Sequence, residues 1–460
     1  MNNLKNIHFV GIGGVGMSGI ADILVTLGYK VSGSDLNISN GTKRLEEKGV
    51  KVIKGHKSSN IDESIDTVVT STAINRENPE VKRAQELNIP IIKRAEMLAQ
   101  LMKRQKAICI AGAHGKTTTT SMIASVLEIN NFDPSIVVGG ELNVINSNAK
   151  LGKGDYLVAE ADESDGSFLN LFPWSNIITN IEDDHLDFYG TLENMIDSFT
   201  KYIALGSPDG YTILCADDPL VSQMAINAPG KVVTYGLNEK ANITARNINF
   251  QGTITRCDVY YNEELLGNLE LSIPGKHNLS NALATIAICR ELNLSFSQIS
   301  TGLKQFTGVK RRFQLIGKVN DILVYDDYAH HPTEVKACLQ AARSMHEGRI
   351  IAVFQPHRYS RTRLLAKEFA QSYGDADKLI LSDIYAASEE PLVGISSNLI
   401  MENLPKGSEA IYIEKNEDIV EHLRYIAKPG DLIITMGAGD IWKVGKDIIS
   451  KLNNKQQGVS

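Results

Sequence analysis

A chain of 460 residues with 43% hydrophobic and 22% charged content can bury a sizeable core, and its length favours about three domains. With 47 Lys and Arg against 54 Asp and Glu the net charge is −7, which leaves no global basic field for nucleic acid or an anionic membrane. The five cysteines, Cys109, Cys215, Cys257, Cys289 and Cys338, show neither zinc-site spacing nor a disulfide framework and read as buried reduced thiols. No apolar run reaches the ~18 residues of a membrane span, so the cytoplasm is the default location.

Up to a boundary expected near Gln105, short β-branched runs alternate with amphipathic stretches: Asn6 to Val10, Gly19 to Leu27, Lys30 to Ser32, Lys43 to Lys48, Val50 to Ile53 and Thr67 to Thr70. That alternation predicts βαβ units in a parallel sheet, followed by a helical connector over Lys93 to Arg104. The first run leads into Gly11-x-Gly13-x-x-Gly16, with Asp35 further on, a formal match to the dinucleotide fingerprint. The mechanics require only a diphosphate at a helix N-terminus and an acid near a sugar or base. A nicotinamide dinucleotide and a UDP-sugar both satisfy them.

The next apolar run, from Ala107, ends in Gly112-Ala113-His114-Gly115-Lys116-Thr117-Thr118. Glycines there can turn backbone N–H groups toward an anion, a helix start adds its positive dipole end, Lys116 can reach terminal phosphates, and Thr117 can hold Mg²⁺. Ile110 stands where the longer phosphate-loop pattern has glycine, so the shorter Gly-x-x-Gly-Lys-Thr carries the reading against a plain strand-to-helix turn. Further strands are predicted near Ile136 to Val138, Tyr156 to Val158, Ile177 to Thr179 and Thr212 to Leu214, then a β-rich insertion from about Ala241 to Ile273 and a helix from Asn278 to Glu291. Glu160 follows one of these strands within a carboxylate cluster, and His185 follows another within a second acidic group. Taken singly, these are a solvated acidic loop and a structural histidine. A triphosphate site on a neighbouring strand, however, calls for hard oxygen ligands at such a strand end.

From about Gly308 the alternation restarts, with strands at Ile322 to Tyr325, Ile350 to Phe354, Lys378 to Ser382 and Leu432 to Thr435, and a frayed polar end from Asn453 to Ser460.

The lysine turn, Glu160 and His185, in that order, resemble the Mur ligase family of ATP-dependent amide-forming enzymes, and the resemblance covers essentially the whole chain. It implies an α/β protein of three domains. Residues 1–105 would form a Rossmann-like UDP-sugar domain, 106–307 a central P-loop ATPase-like domain with a mixed sheet, and 308–460 a Rossmann-like amino-acid domain. Gly275-Lys276-His277-Asn278-Leu279-Ser280-Asn281 looks like the family's Asn-x-x-Asn helix start, which brings Asn278 and Asn281 to ATP beside Gly112 to Thr118. Arg312 and Asp327 match the points where the third domain closes on the nucleotide. By the same resemblance Lys116, Glu160, His185 and Arg312 are catalytic, and Thr117, Glu160 and His185 hold Mg²⁺.

Within the family, Gly11 to Gly19, Asp326 to Glu334 and Gln355 to Thr362 look like the member that adds L-alanine to UDP-N-acetylmuramate. The resemblance then implies ATP-dependent amide formation through an acyl phosphate, giving ADP and phosphate, in peptidoglycan precursor synthesis. Gly11, Gly13, Gly14, Gly16, Met17, Ser18, Asp35, Ser71 and Thr72 are expected to bind the UDP-sugar. Tyr328, His330, His357, Arg358 and Arg361 are expected to bind L-alanine. One departure is Ala113, where the family usually has threonine; the lost hydroxyl weakens one phosphate contact but leaves the backbone cradle intact. Expected partners are these small molecules, with no nucleic acid or membrane, in a monomer or weak homodimer. An NAD-dependent oxidoreductase would leave Lys116, Glu160 and the asparagine pair without a role, and a nucleotide switch without ligase chemistry would leave the Tyr328 to Arg361 cluster idle.

Overall fold

The computed structural model describes residues 4–238, 240–387 and 389–457, which form three sheets. In the first, five parallel strands run in the order Lys51–Lys54, Lys30–Asp35, Asn6–Val10, Thr67–Thr70 and Ile91–Lys93. Ile7, Phe9 and Val10 of the central strand are all buried, as expected of a parallel strand covered on both faces. The chain reverses direction across the sheet at Asn6–Val10, which opens a crevice at the carboxyl end of that strand.

The second sheet has ten strands. Its centre is Lys106–Ala111, with Ser175–Ile178 parallel on one side and Tyr156–Glu160 parallel on the other. Beyond Tyr156–Glu160 lie Ser135–Leu142 and the antiparallel Ser147–Lys150. Beyond Ser175–Ile178 come Tyr211–Cys215, Lys231–Tyr235 and the three strands Ile243–Gln251, Ile254–Tyr261 and Glu264–Leu271, which fill the β-rich insertion expected there. The third sheet has the order Gln314–Val319, Ile322–Asp327, Leu432–Met436, Ile350–Phe354, Lys378–Leu381 and Ala410–Tyr412; only its first pair is antiparallel. Its two middle strands, Leu432–Met436 and Ile350–Phe354, are buried at every position.

By packing, the chain divides into two compact units: Met1–Asn247 with Asp258–Leu269 and Ser280–Phe306, and Ile248–Cys257 with Glu270–Leu279 and Thr307–Ser460. The first sheet and the second sheet from Tyr211–Cys215 and Lys231–Tyr235 through to Ser147–Lys150 therefore belong to one unit. The contact that joins them is specific: Asn148 Nδ2 donates to Val15 O at 2.5 Å, and a Cβ on Gly19 would lie 2.9 Å from that amide nitrogen. Only glycine lets the helix Val15–Thr26 lie this close to the strand Ser147–Lys150.

Several elements depart from the sequence expectation. The helix Pro79–Glu86 and the strands Ile91–Lys93, Gln314–Val319 and Ala410–Tyr412 are short or polar and carry little periodic signal. Fraying from Asn453 is not observed up to Gln457, because the helix Trp442–Gln457 buries Leu452 in the core; residues 458–460 lie outside the described residues. All five cysteines are free and buried, and among the described residues no helix is long and apolar enough to cross a membrane.

Candidate active site

The loops after three adjacent parallel strands, Tyr156–Glu160, Lys106–Ala111 and Ser175–Ile178, converge at one edge of the second sheet. The middle loop turns through Gly112, at φ 130°, and Gly115, at φ 84°, into the helix Lys116–Ile129. Steric demand from the protein explains both glycines. A Cβ on Gly112 would fall 2.1 Å from Thr179 Oγ1, and one on Gly115 would fall 2.6 Å from Asn281 Oδ1. Thr179 and Asn180 brace the loop: Thr179 Oγ1 donates to His114 O at 2.6 Å, and Asn180 Oδ1 accepts from His114 N–H at 2.8 Å.

No side chain caps the helix Lys116–Ile129, nor Val15–Thr26 behind the other glycine loop, whereas Ser39, Asn78, Thr191 and Ser295 each cap a helix with a side-chain oxygen. Both glycine loops thus leave a helix's positive end open to an anion.

Lys116 Nζ donates to Gly112 O at 2.5 Å, to Ala113 O at 3.1 Å and to Glu163 Oε1 at 2.7 Å. Burial works against its charge, but Glu163, with Asp162 and Glu160, holds the ammonium in its charged form. Burial pushes the Glu163 carboxyl up to about 7 despite the lysine, and its Oε2 is buried without a hydrogen-bond partner among the described residues. His185 Nε2 lies 3.5 Å from Asp184 Oδ2 and 3.9 Å from Glu163 Oε1, on a residue at φ 63°. Left-handed backbone at a histidine is a strain that the surrounding fold has to sustain. Glu160, at the strand end, accepts the Gly139 N–H at 2.6 Å. Thr117 and Thr118 start the helix, nearly buried. Glu163, Thr179 and Asn180 were not singled out by sequence, although Glu163 sits in the carboxylate cluster that was.

At the first sheet, Gly11 is at φ 83° and the helix Val15–Thr26 begins after Gly14. Asp35 Oδ2 accepts from Gly13 N–H at 2.8 Å and its Oδ1 from Asn37 N–H at 3.0 Å. It braces the glycine loop. Met17 buries its side chain in the core, and Ser18 donates its Oγ–H to Val15 O and its N–H to Gly14 O. Ser71 comes close to Gly11, where a Cβ would be 3.6 Å from Ser71 Oγ, and Thr72 follows it in the same loop.

In the second unit, Asp327 Oδ2 accepts from Phe313 N–H at 2.6 Å and Oδ1 from Ala329 N–H at 2.7 Å. Burial raises this carboxyl to about 6 although Arg312 pulls it down. Asp327 thus pins the segment carrying Arg312 between Arg311 and Phe313, both at positive φ. Arg312 reaches Glu334 Oε1 at 3.6 Å and lies over the Tyr328 ring. His330 Nδ1 sits 3.0 Å from Tyr328 O and 3.1 Å from Glu334 Oε2. Its ring meets His357 at 5.7 Å, and His357 stacks on Tyr385. Arg361 Nη1 lies 3.4 Å from His357 Nδ1, and Arg358, at φ 72°, precedes the helix Tyr359–Ala370. The structure therefore gathers Tyr328, His330, His357, Arg358 and Arg361 at the carboxyl ends of two strands. Asn278 spends its amide on Pro274 O at 2.7 Å, at the start of the helix Lys276–Glu291 that also carries Asn281.

Family models match in three consecutive stretches: the Mur ligase family catalytic domain over residues 6–106, the Mur ligase middle domain over 110–289, and the Mur ligase glutamate ligase domain over 311–439. A UDP-N-acetylmuramate–L-alanine ligase of Desulforamulus reducens is 54% identical over 455 residues, covering 98% of each chain. One of Pelotomaculum thermopropionicum is 50% identical over 460 residues, 99% of this chain and 100% of the relative. The crystal structure of UDP-N-acetylmuramate-alanine ligase from Thermotoga maritima superposes with a TM-score of 0.85 at 30% identity, over 98% of this chain and 100% of that one.

Proposed function

The chain belongs to the Mur ligase family, and from that premise we propose that it joins L-alanine to the carboxylate of UDP-N-acetylmuramate at the expense of ATP, in peptidoglycan precursor synthesis. The observation that supports this most is Lys116 at an uncapped helix start, with Glu160, Glu163 and His185 delivered by the two flanking strand-end loops. An oxidoreductase has no use for that arrangement.

In the proposed reaction the muramate carboxylate oxygen attacks the γ-phosphorus of ATP, the bond to the β-phosphate oxygen breaks, and ADP leaves. The alanine amine then attacks the acyl carbon, phosphate departs and the amine loses its proton. Anions must approach one another. Like charges at 4 Å repel by about 4 kcal/mol at an effective dielectric of about 20, so the site has to supply cations. Lys116 leaves its three oxygen partners to meet the transferring phosphoryl group, and the uncapped N–H groups hold the phosphates behind it.

Thr117, Glu160 and His185 would hold Mg²⁺, and the unpartnered buried Glu163 Oε2 fits the same hard cation. When bound, the ion neutralises charge on the triphosphate. We assign residues 1–105 to the nucleotide sugar, 106–307 to ATP and 308–460 to alanine. Arg361 and Arg358 would grip the amino-acid carboxylate, with His330, His357 and Tyr328 around it. Five buried free thiols accord with a reducing compartment, the cytoplasm.

The test is to incubate the protein with ATP, Mg²⁺, UDP-N-acetylmuramate and single amino acids, and to weigh the product. A mass gain of one alanine residue, with phosphate release, is expected. Product only with another amino acid or a preformed peptide would reassign the substrate. Hydride transfer from a nicotinamide would overturn the reading.

A further inference from the structure

Arg94 has no part in the roles assigned so far. It opens the helix Arg94–Met102 directly after the edge strand Ile91–Lys93, at the same carboxyl edge of the parallel sheet as the first glycine loop. A Cβ on Gly16, in the first turn of the helix Val15–Thr26, would lie 3.0 Å from Arg94 Nη1 and 3.2 Å from its Cδ. The guanidinium thus lies against the uncapped helix start, in space that a larger residue at position 16 would fill. Its other terminal nitrogen, Nη2, donates to Asp162 Oδ2 at 2.8 Å, in a pair whose side chains are 24% and 40% exposed. A pair this open contributes little to stability and exchanges readily for a better partner.

The loop itself lacks positive side chains. Residues 11 to 18 contain neither Lys nor Arg, and Asp35 adds a negative charge by accepting the Gly13 N–H. A diphosphate arriving there would face that carboxylate with only backbone N–H groups in attendance. Arg94 is a cation that lies against this loop. We propose that Arg94 is a diphosphate-binding residue of the nucleotide-sugar site, and that Asp162 holds its guanidinium in place until the diphosphate takes over. The planar fork can then give two parallel hydrogen bonds to phosphate oxygens. Gly16 is needed because any side chain there would push the fork away from the helix start. This rests on reading the glycine loop as a UDP-sugar site.

Calorimetry with UDP on the full-length protein tests it, alongside steady-state kinetics. Arg94→Ala should weaken UDP binding by about tenfold or more, the loss expected for charge-assisted hydrogen bonds. It should raise KM for UDP-N-acetylmuramate by a similar factor while leaving KM for ATP unchanged. Arg94→Lys should recover part of the loss, and Asp162→Asn should bind UDP at least as tightly as the unsubstituted protein, since the competing carboxylate is gone. Arg94→Lys and Asp162→Asn carry the test if Arg94→Ala does not fold. UDP affinity unchanged in Arg94→Ala, or lost equally in Asp162→Asn, makes the pair a structural strut and overturns the proposal alone. Failure of the unsubstituted protein to bind UDP overturns the reading of the site, and the proposal with it.

Discussion

Replacing Lys116 by methionine keeps the length of the side chain and removes its charge, so it separates the lysine's contribution to folding from its contribution to turnover. The ammonium lies 2.7 Å from a carboxylate that is 2% exposed. Removing one partner of a buried pair costs about 3–5 kcal/mol when the other stays charged. Glu163 need not stay charged, because burial already pushes its carboxyl up to about 7, and without the lysine it takes a proton near neutral pH. The remaining cost is then that of a neutral buried group with unmet hydrogen bonds, about 1–3 kcal/mol. Urea denaturation at pH 7 should show that loss in Lys116→Met and recovery of most of it in Lys116→Met with Glu163→Leu, where no buried polar group is left unmet. Turnover should behave differently. Loss of a donor aimed at developing phosphoryl charge lowers kcat by about 10²–10³-fold or more, and the second substitution cannot restore it. A coupled phosphate-release assay at saturating substrates measures this. Turnover within tenfold of normal in the single variant would refute the placement of Lys116 at the transferring phosphate. A double variant no more stable than the single one would refute the electrostatic account of the pair.

Three other outcomes follow from the geometry. Glu80 is fully buried; burial alone would raise its carboxyl, but the His8 ring 3.9 Å away and hydrogen bonds from Ser34 and Asn60 outweigh that and hold it at about 2 instead of 4.5. A depressed carboxylate stabilises the fold above its unfolded pKa and ceases to as pH falls through the folded one, so Glu80→Gln should cost about 3 kcal/mol at pH 7 and progressively less from about pH 4.5 down to 2, measured by urea denaturation; a difference independent of pH would refute it. Gly112→Ala should lose about 1–3 kcal/mol in thermal or urea unfolding, together with ATP affinity, because the new methyl meets Thr179 Oγ1 at 2.1 Å on a backbone at φ 130°; an unchanged midpoint would show that the loop yields. Arg361→Lys should raise KM for L-alanine well above any change in KM for ATP, since lysine cannot reproduce a two-bond grip on a carboxylate; a KM for L-alanine unchanged in both the Arg361 and the Arg358 variants would move the amino-acid site elsewhere.

The parallel sheets, the two glycine loops and the helices behind them were legible in the residues, because each depends on neighbours in the chain: a buried apolar run, a turn that needs φ above zero, a helix start left without a side-chain cap. That the lysine, Glu160, His185 and the Tyr328 to Arg361 cluster stand at strand ends was legible for a related reason, while the roles expected of them came from the resemblance. Which carboxylate meets Lys116 was not legible. The loop after Tyr156–Glu160 sets Glu163 against the ammonium and turns Glu160 toward Gly139, and that choice depends on strand order 175–178, 106–111, 156–160, in which neighbours in space are far apart in sequence. Asp35 and Asp327 were recognisable as acids near ligands, but only folding shows that each accepts a backbone N–H on both oxygens and so braces a loop. A buried carboxylate must satisfy its oxygens wherever the fold brings donors, and the donors come from segments that no local pattern connects to it.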